Sequence, residues 1–312
     1  MEAWTRTAGY TLPNNILMKS TMKRIFILFV FFAAAQLSAQ QRNAYSFYRQ
    51  NMNLVNPAYA GAEGITSFTG IFRSQWQGVE QAPETQAFSF GAPLGKRVGL
   101  GLSVENDKTF VEKQITVNAD FSYMLPMSET LNLYLGLKAG GNFYDVNTDA
   151  LETWNYDVDP SLVNLSRFNP NVGVGALLQH KDFYFSLSAP RIFETKRARE
   201  EEGIVTTAAD RVHLYLSGGY DFNLSENLSL TPSFMLRHVS GAPLSADLTA
   251  MFYYRQHLGL GAAYRTDKAF SGLAYIGVFD WLQFGYAYET SLRSDLQNVN
   301  QGTHELLLKF LL

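Results

Sequence analysis

The sequence predicts an all-β fold: an antiparallel transmembrane β-barrel of about 14 strands, with long extracellular loops and short periplasmic turns. Three observations predict it. Apolar residues recur at every second position from about Ile65 to the C-terminus, the connections are alternately tight and long, and an export signal precedes them. Alternation alone also fits a soluble sandwich, so the loops and the chain ends decide.

At the N-terminal end, Lys23 and Arg24 precede an apolar run from Ile25 to Ala35, and Leu37-Ser38-Ala39 supplies a small-residue exit. This is the pattern of a secretory signal peptide. Its 11 apolar residues are too few to cross roughly 30 Å of hydrocarbon as a helix. Cleavage is therefore expected near Ala39, with the mature protein starting at Gln40. Residues 1–21 match no targeting pattern and Met22 is the expected start, so 1–39 reads as an upstream extension plus a cleaved signal peptide.

Residues 40–64 read as a periplasmic N-terminal segment, a turn or plug, before a single barrel domain over 65–312. Strands are expected near 65–75, 84–92, 97–107, 112–125, 130–144, 170–180, 182–190, 211–224, 226–238, 244–255, 257–266, 269–279, 281–290 and 302–311. The pattern is clearest at Leu131, Leu133, Leu135 and Leu137, which oppose Asn132, Tyr134, Gly136 and Lys138. Lipid would face the first set and the lumen the second. Tight connections fall at Pro93 to Lys96, Pro126 to Glu129, Lys181, Ser225, Gln256 and Asp280, whereas 74–83, 145–169, 192–210 and 291–301 are long. Short ends would be periplasmic and long ends outside, which puts both termini in the periplasm.

Composition agrees. Aromatic residues make up 14%, cysteine is absent, and loss of Arg6, Lys19, Lys23, Arg24 and Glu2 from 25 basic and 28 acidic residues leaves 21 against 27, a net of −6. Such a balance gives no reason to expect nucleic acid as a partner. Disulfides and thiolate metal sites are excluded. Aromatic residues such as Phe252, Tyr254, Phe284, Tyr286 and Tyr288 suit interfacial girdles.

Signals for catalysis are missing. There is no Gly-x-Ser-x-Gly turn, His-Glu-x-x-His pair or Gly-rich phosphate loop, and the five histidines fall on different predicted strands. The chain is not expected to be an enzyme or to hold a cofactor. Asp145, Asp149, Glu152, Asp157 and Asp159 offer oxygen ligands in one loop. Their spacing does not match an EF-hand, and a solvated loop is the simpler reading. The charge block Lys196 to Glu202 likewise reads as an external loop.

By alternation, Glu105, Asp120, Lys138, Asp221, Arg237, Asp247, Arg255 and Glu289 point into the lumen. Mutual bracing is the default for such charges; water or a guest polypeptide are the alternatives. A barrel this wide must be filled, and 41–64 is the best internal candidate. In it, Pro57 fixes φ, Asn56 is restrained before it, and Gly61 permits an exit that other residues resist. Asn56, Pro57, Tyr59, Gly61, Arg73 and Trp76 are the candidate partner or plug contacts.

Tyr45-Ser46-Phe47-Tyr48-Arg49-Gln50-Asn51-Met52, then Asn56-Pro57-Ala58-Tyr59-Ala60-Gly61, then Arg73-Ser74-Gln75-Trp76 and Ala82-Pro83-Glu84-Thr85 together resemble the PorP/SprF family of Bacteroidota outer-membrane proteins. Gly99-Leu100-Gly101, Pro170 to Gly175 and Ser186 to Pro190 also look like family landmarks, so the likeness runs over 41–312. It implies a non-enzymatic outer-membrane component of the type IX secretion and gliding machinery. Implied partners are the C-terminal domain of a secreted surface protein and the periplasmic and lipoprotein components of the apparatus, with outer-membrane lipid around the wall and no nucleic acid. The rival reading is an outer-membrane channel for a small hydrophobic solute with a movable plug. A structural barrel tethered to peptidoglycan-binding partners is a third. Loop residues Trp154, Arg191 and Arg199 are plausible contacts in the first.

Overall fold

The computed structural model describes residues 44–148, 164–193, 195–201, 204–292 and 301–312, with backbone alone over 195–201 and 204–210. Residues 41–240 and 244–312 form one compact unit. Two short 3₁₀ segments, Tyr48–Leu54 and Pro57–Tyr59, come first. The strands are β1 (Ser67–Ser74), β2 (Glu84–Leu94), β3 (Val98–Thr109), β4 (Glu112–Pro126), β5 (Leu131–Val146), β6 (Leu165–His180), β7 (Phe183–Ala189), β8 (Thr195–Glu201), β9 (Ile204–Asp210), β10 (His213–Tyr220), β11 (Phe222–Asn223), β12 (Leu228–Val239), β13 (Ser245–Tyr254), β14 (Leu258–Arg265), β15 (Ala269–Phe279), β16 (Leu282–Ser291) and β17 (Thr303–Leu311).

All pairings are antiparallel; most join sequence neighbours, β7 pairs with β10 across the β8–β9 hairpin, and β1 pairs with β17. β7 and β12 both flank β10, so the sheet closes. The two-residue β11 continues β10 past Asp221; the 15 sheet members are therefore 14 staves. This is the fold class that the alternation predicts. Closure leaves no open sheet edge to meet lipid.

Two boundaries differ from the sequence reading. β6 starts at Leu165 rather than 170, because β5 carries the ladder past Pro170, from Gly141↔Pro170 to Val146↔Leu165. Within the expected soluble loop 192–210, β8 and β9 form a separate two-stranded hairpin. No period-2 apolar pattern marks that hairpin, which is why it reads as loop.

The outer wall is apolar. Leu100, Leu102, Leu135, Leu137, Phe185, Leu187, Leu248, Leu260 and Leu306 are all exposed, while their neighbours Ser103, Lys138, Ser186, Asp247 and Glu305 are buried. A band of leucine and phenylalanine open on every side is stable only against hydrocarbon. Phe279, Trp281 and Phe310 stack at the short-turn end with centroids 5.4 and 6.1 Å apart. Tyr286 and Tyr288 gather with His304 toward the long-loop end.

Inside, glycines let residues 56–61 approach the wall. A Cβ on Gly136 would lie 2.2 Å from the Ala58 nitrogen, and one on Gly99 would lie 1.9 Å from the Ala60 carbonyl oxygen. Only glycine fits there. Gly136→Ala should thus lower the thermal midpoint of the detergent-solubilised barrel by an amount equivalent to about 1–3 kcal/mol of overpacking. Gly272→Ala, where nothing lies within 4 Å of the new carbon, should leave it unchanged; heat-modifiable gel mobility reads both.

Candidate functional site

The site is the filled lumen. Residues 44–64 run through it, and their contacts reach strands all round the wall. The Ser46 and Phe47 amides both donate to the Glu305 carboxylate of β17, at 2.9 and 2.8 Å. Tyr45 Oη donates to Glu105 of β3 at 2.8 Å, and Tyr48 Oη to Ser233 of β12 at 2.8 Å. Burial pushes the Tyr48 phenol up to about 12, so it stays a neutral donor. Arg49 makes a forked contact with Asp221, at 3.0 and 2.8 Å. Lys138 of β5 donates to the Asn53 carbonyl at 3.1 Å.

Below this comes a tighter seat. Asn56 is fully buried; its Nδ2 donates to the Ala176 carbonyl at 3.0 Å and to Ser186 Oγ at 2.7 Å, and its Oδ1 accepts from the Ala58 amide at 2.9 Å. Asn56 thereby caps the turn that Pro57 opens. Ser188 and Ser122 donate to the carbonyls of Val55 and Ala60 at 2.8 and 2.6 Å. Gly61, at φ 68°, then turns the chain toward β1. Lys309 grips Glu63 near the short-turn end.

Near the long-loop ends of the strands runs a belt of charge. Arg73 of β1 pairs with Glu305 at 3.0 Å and Glu289 of β16 at 2.7 Å. Glu289 also pairs with Arg265 of β14 at 3.1 Å, and Arg265 with Asp247 of β13 at 2.5 Å. Asp247 closes on Arg237 of β12 at 3.0 Å. Three carboxylates and three guanidiniums alternate, so the belt is neutral although nearly dry. Breaking such a chain at one member strands a buried charge, and that costs more than the pair itself contributes.

Seven of the eight expected lumen charges take inward places. Asp120 and Lys138 form a buried pair at 2.7 Å; Arg237, Asp247 and Glu289 sit in the belt; Glu105 and Asp221 hold the N-terminal segment. Arg255 is the exception and a correction. β13 ends at Tyr254, and Arg255 (φ 50°) and Gln256 (φ 58°) form the hairpin turn, so alternation stops before the arginine. Its guanidinium lies 5.4 Å from the Tyr254 ring centroid and donates to Asn227 at 3.2 Å, in solvent.

Of the candidate contacts, Asn56, Pro57, Tyr59 and Gly61 lie together inside the barrel, where Tyr59 meets Tyr184 edge-on at 6.3 Å. Arg73 is 2% exposed within the belt, facing the lumen. Trp76 is separate, 40% exposed in the β1–β2 connection at φ 50°. The N-terminal segment also lies deeper than a periplasmic placement implies: 57–64 sit toward the short-turn end, but Ser46 and Phe47 bond a residue two places from the long-loop end of β17. Arg191 reaches Thr116 at 2.9 Å. Asp149, Glu152, Asp157, Asp159 and Trp154, and the side chains of Lys196 to Arg199, lie outside the described residues.

Sequence reasoning missed Arg49, Arg265, Glu305 and Lys309. The last three alternate with the outward Tyr264, Leu306 and Leu308, so the same period marks them. Arg49 lies outside any periodic segment and carries no such signal.

Such a structure, a wide lipid-facing barrel filled by its own N-terminal segment, defines an outer-membrane barrel protein. The chain belongs to the PorP/SprF family of type IX secretion system membrane proteins, which matches residues 37–310. No curated protein is a significant match. Solved barrels resemble it at low identity. The Acinetobacter baumannii outer membrane protein Omp33 is 10% identical with a TM-score of 0.47, covering 80% of this chain and 99% of its own. The NanC porin is 8% identical with a TM-score of 0.42, covering 79% and 100%.

Glu305→Ala should destabilise the barrel by about 3–5 kcal/mol, since it orphans two backbone amides and removes one of the two carboxylates paired with Arg73. Thermal unfolding in detergent checks this. An isosteric apolar replacement of the Asp120–Lys138 pair should cost far less than loss of either partner alone.

Proposed function

We propose that this outer-membrane component of the type IX secretion system holds one exported surface protein by its C-terminal domain, without catalysing a reaction. The filled lumen is the observation that carries the reading. Residues 44–64 occupy the interior that a guest polypeptide would need, so the long-loop end is left as the holding surface. There, Trp76 stands exposed in a loop tied at its base by the Gln75 amide on the Pro83 carbonyl at 2.9 Å. A large aromatic on a fixed loop is the kind of residue that dominates interfaces. The short-turn end would face the periplasm and couple the barrel to periplasmic and lipoprotein parts of the apparatus. Charge lines the lumen throughout, which suits a polar filling better than passage of a hydrophobic solute.

A mild-detergent pull-down from native membranes, read by mass spectrometry, tests this. A large exported protein should co-purify in near-equal amount, and Trp76→Ala should reduce its recovery roughly tenfold while leaving the barrel folded. Tyr59→Ala, which alters only the interior, should not. A barrel recovered alone that conducts in a planar bilayer would favour the solute channel.

A further inference from the structure

A polar vestibule lies at the short-turn end of the lumen, where the ends of β6, β13 and β15 and the starts of β12 and β16 surround Arg49 and Gln50 of the N-terminal segment. It measures about 490 Å³, within the range of roughly 300–1,000 Å³ that small-molecule sites occupy. Its charges are matched. Arg49 reaches Asp221 at 2.8 Å, Lys309 grips Glu63, and Lys181 lies 3.9 Å from Asp182. Among the described lining residues three cations thus meet three anions, and no net charge faces the space.

Uncharged polar groups are the ones left over. The side-chain amides of Asn223 and Gln283 and the Tyr275 hydroxyl line the cavity without a hydrogen bond to any described residue. Tyr253, Gly259 and Tyr275 stand side by side in register on β13, β14 and β15. A Cβ on Gly259 would lie 2.8 Å from the Tyr253 ring, so glycine lets the two tyrosines meet, edge to face with centroids 5.6 Å apart. Primary amides and phenols both donate and accept, as sugar hydroxyls do, and a tyrosine ring adds an apolar face for the C–H side of a sugar. A carboxylate or phosphate would have to break one of the ion pairs to gain a cation.

We propose that this vestibule binds a neutral saccharide, with Asn223 and Gln283 taking its hydroxyls and Tyr275 stacking on its ring. The filling segment supplies part of the site through Arg49 and Gln50, so the same residues that close the lumen shape the pocket at its short-turn mouth. The site is independent of whichever exported protein the barrel holds at the other end.

Titration calorimetry on the mature barrel, in a detergent without a sugar head group, tests this with maltose, cellobiose and diacetylchitobiose as probes. At least one should bind saturably at a single site, with glucuronic acid and the dipeptide Ala-Ala at least roughly tenfold weaker. Tyr275→Ala should weaken the bound probe roughly tenfold, as expected for loss of one aromatic contact. Gln283→Ala serves if Tyr275→Ala folds poorly by gel mobility, and Tyr286→Ala on the outer wall should leave affinity unchanged. Retention of the barrel on insoluble cell-wall glycan would identify the source as the wall, and binding of free disaccharide without retention would identify a soluble oligosaccharide. No saturable binding of any of the three disaccharides, stronger binding of the acid or the dipeptide, or equal affinity in wild type, Tyr275→Ala and Gln283→Ala would overturn the site.

Discussion

A carboxylate inside the barrel organises much of what surrounds it. Glu305 presents one oxygen to the Ser46 amide and the other to Phe47, and the Arg73 guanidinium holds it in that attitude. Without Arg73 the carboxylate would carry an uncompensated charge in a nearly dry place; without Glu305 two backbone amides would lose their acceptor. Glu289 shares Arg73 and hands charge balance on to Arg265, Asp247 and Arg237. One residue thus ties the closing strand, the first strand and the filling segment together.

The need for such an arrangement follows from width. Fourteen staves enclose more space than wall side chains can fill, and an unfilled lumen would be a water channel. The chain supplies its own filling, and the wall is cut to receive it: glycine where the backbone presses close, serine and lysine where carbonyls of the N-terminal segment need donors. A barrel occupied in this way is a cylinder closed by its own chain. Its exposed long-loop end carries Trp76, and its short-turn end opens on a charged vestibule around Arg49, Asp221 and Lys309.

How far this was legible beforehand depends on the kind of signal. The staves were legible because lipid outside and polar groups inside impose a two-residue period, and strands β2 to β5 fall within about two residues of where that period puts them. Most lumen charges were legible for the same reason. The failure at Arg255 is instructive: the period has no meaning once two positive-φ residues turn the chain, and tight turns without glycine leave little mark in composition. The hairpin of β8 and β9 and the N-terminal extension of β6 were hidden because neither carries apolar alternation.

By itself, the sequence determined the barrel, its strand count, the sidedness of its loops and the family, since each follows from local patterning repeated along the chain. Tertiary structure alone decided which charges meet. Arg73 lies more than two hundred residues from Glu289 and Glu305 along the chain, and only closure of the cylinder brings β1 against β17. The depth of the N-terminal segment was decided there too. Its position depends on acceptors and glycines drawn from the wall, and these become neighbours only when the barrel is shut.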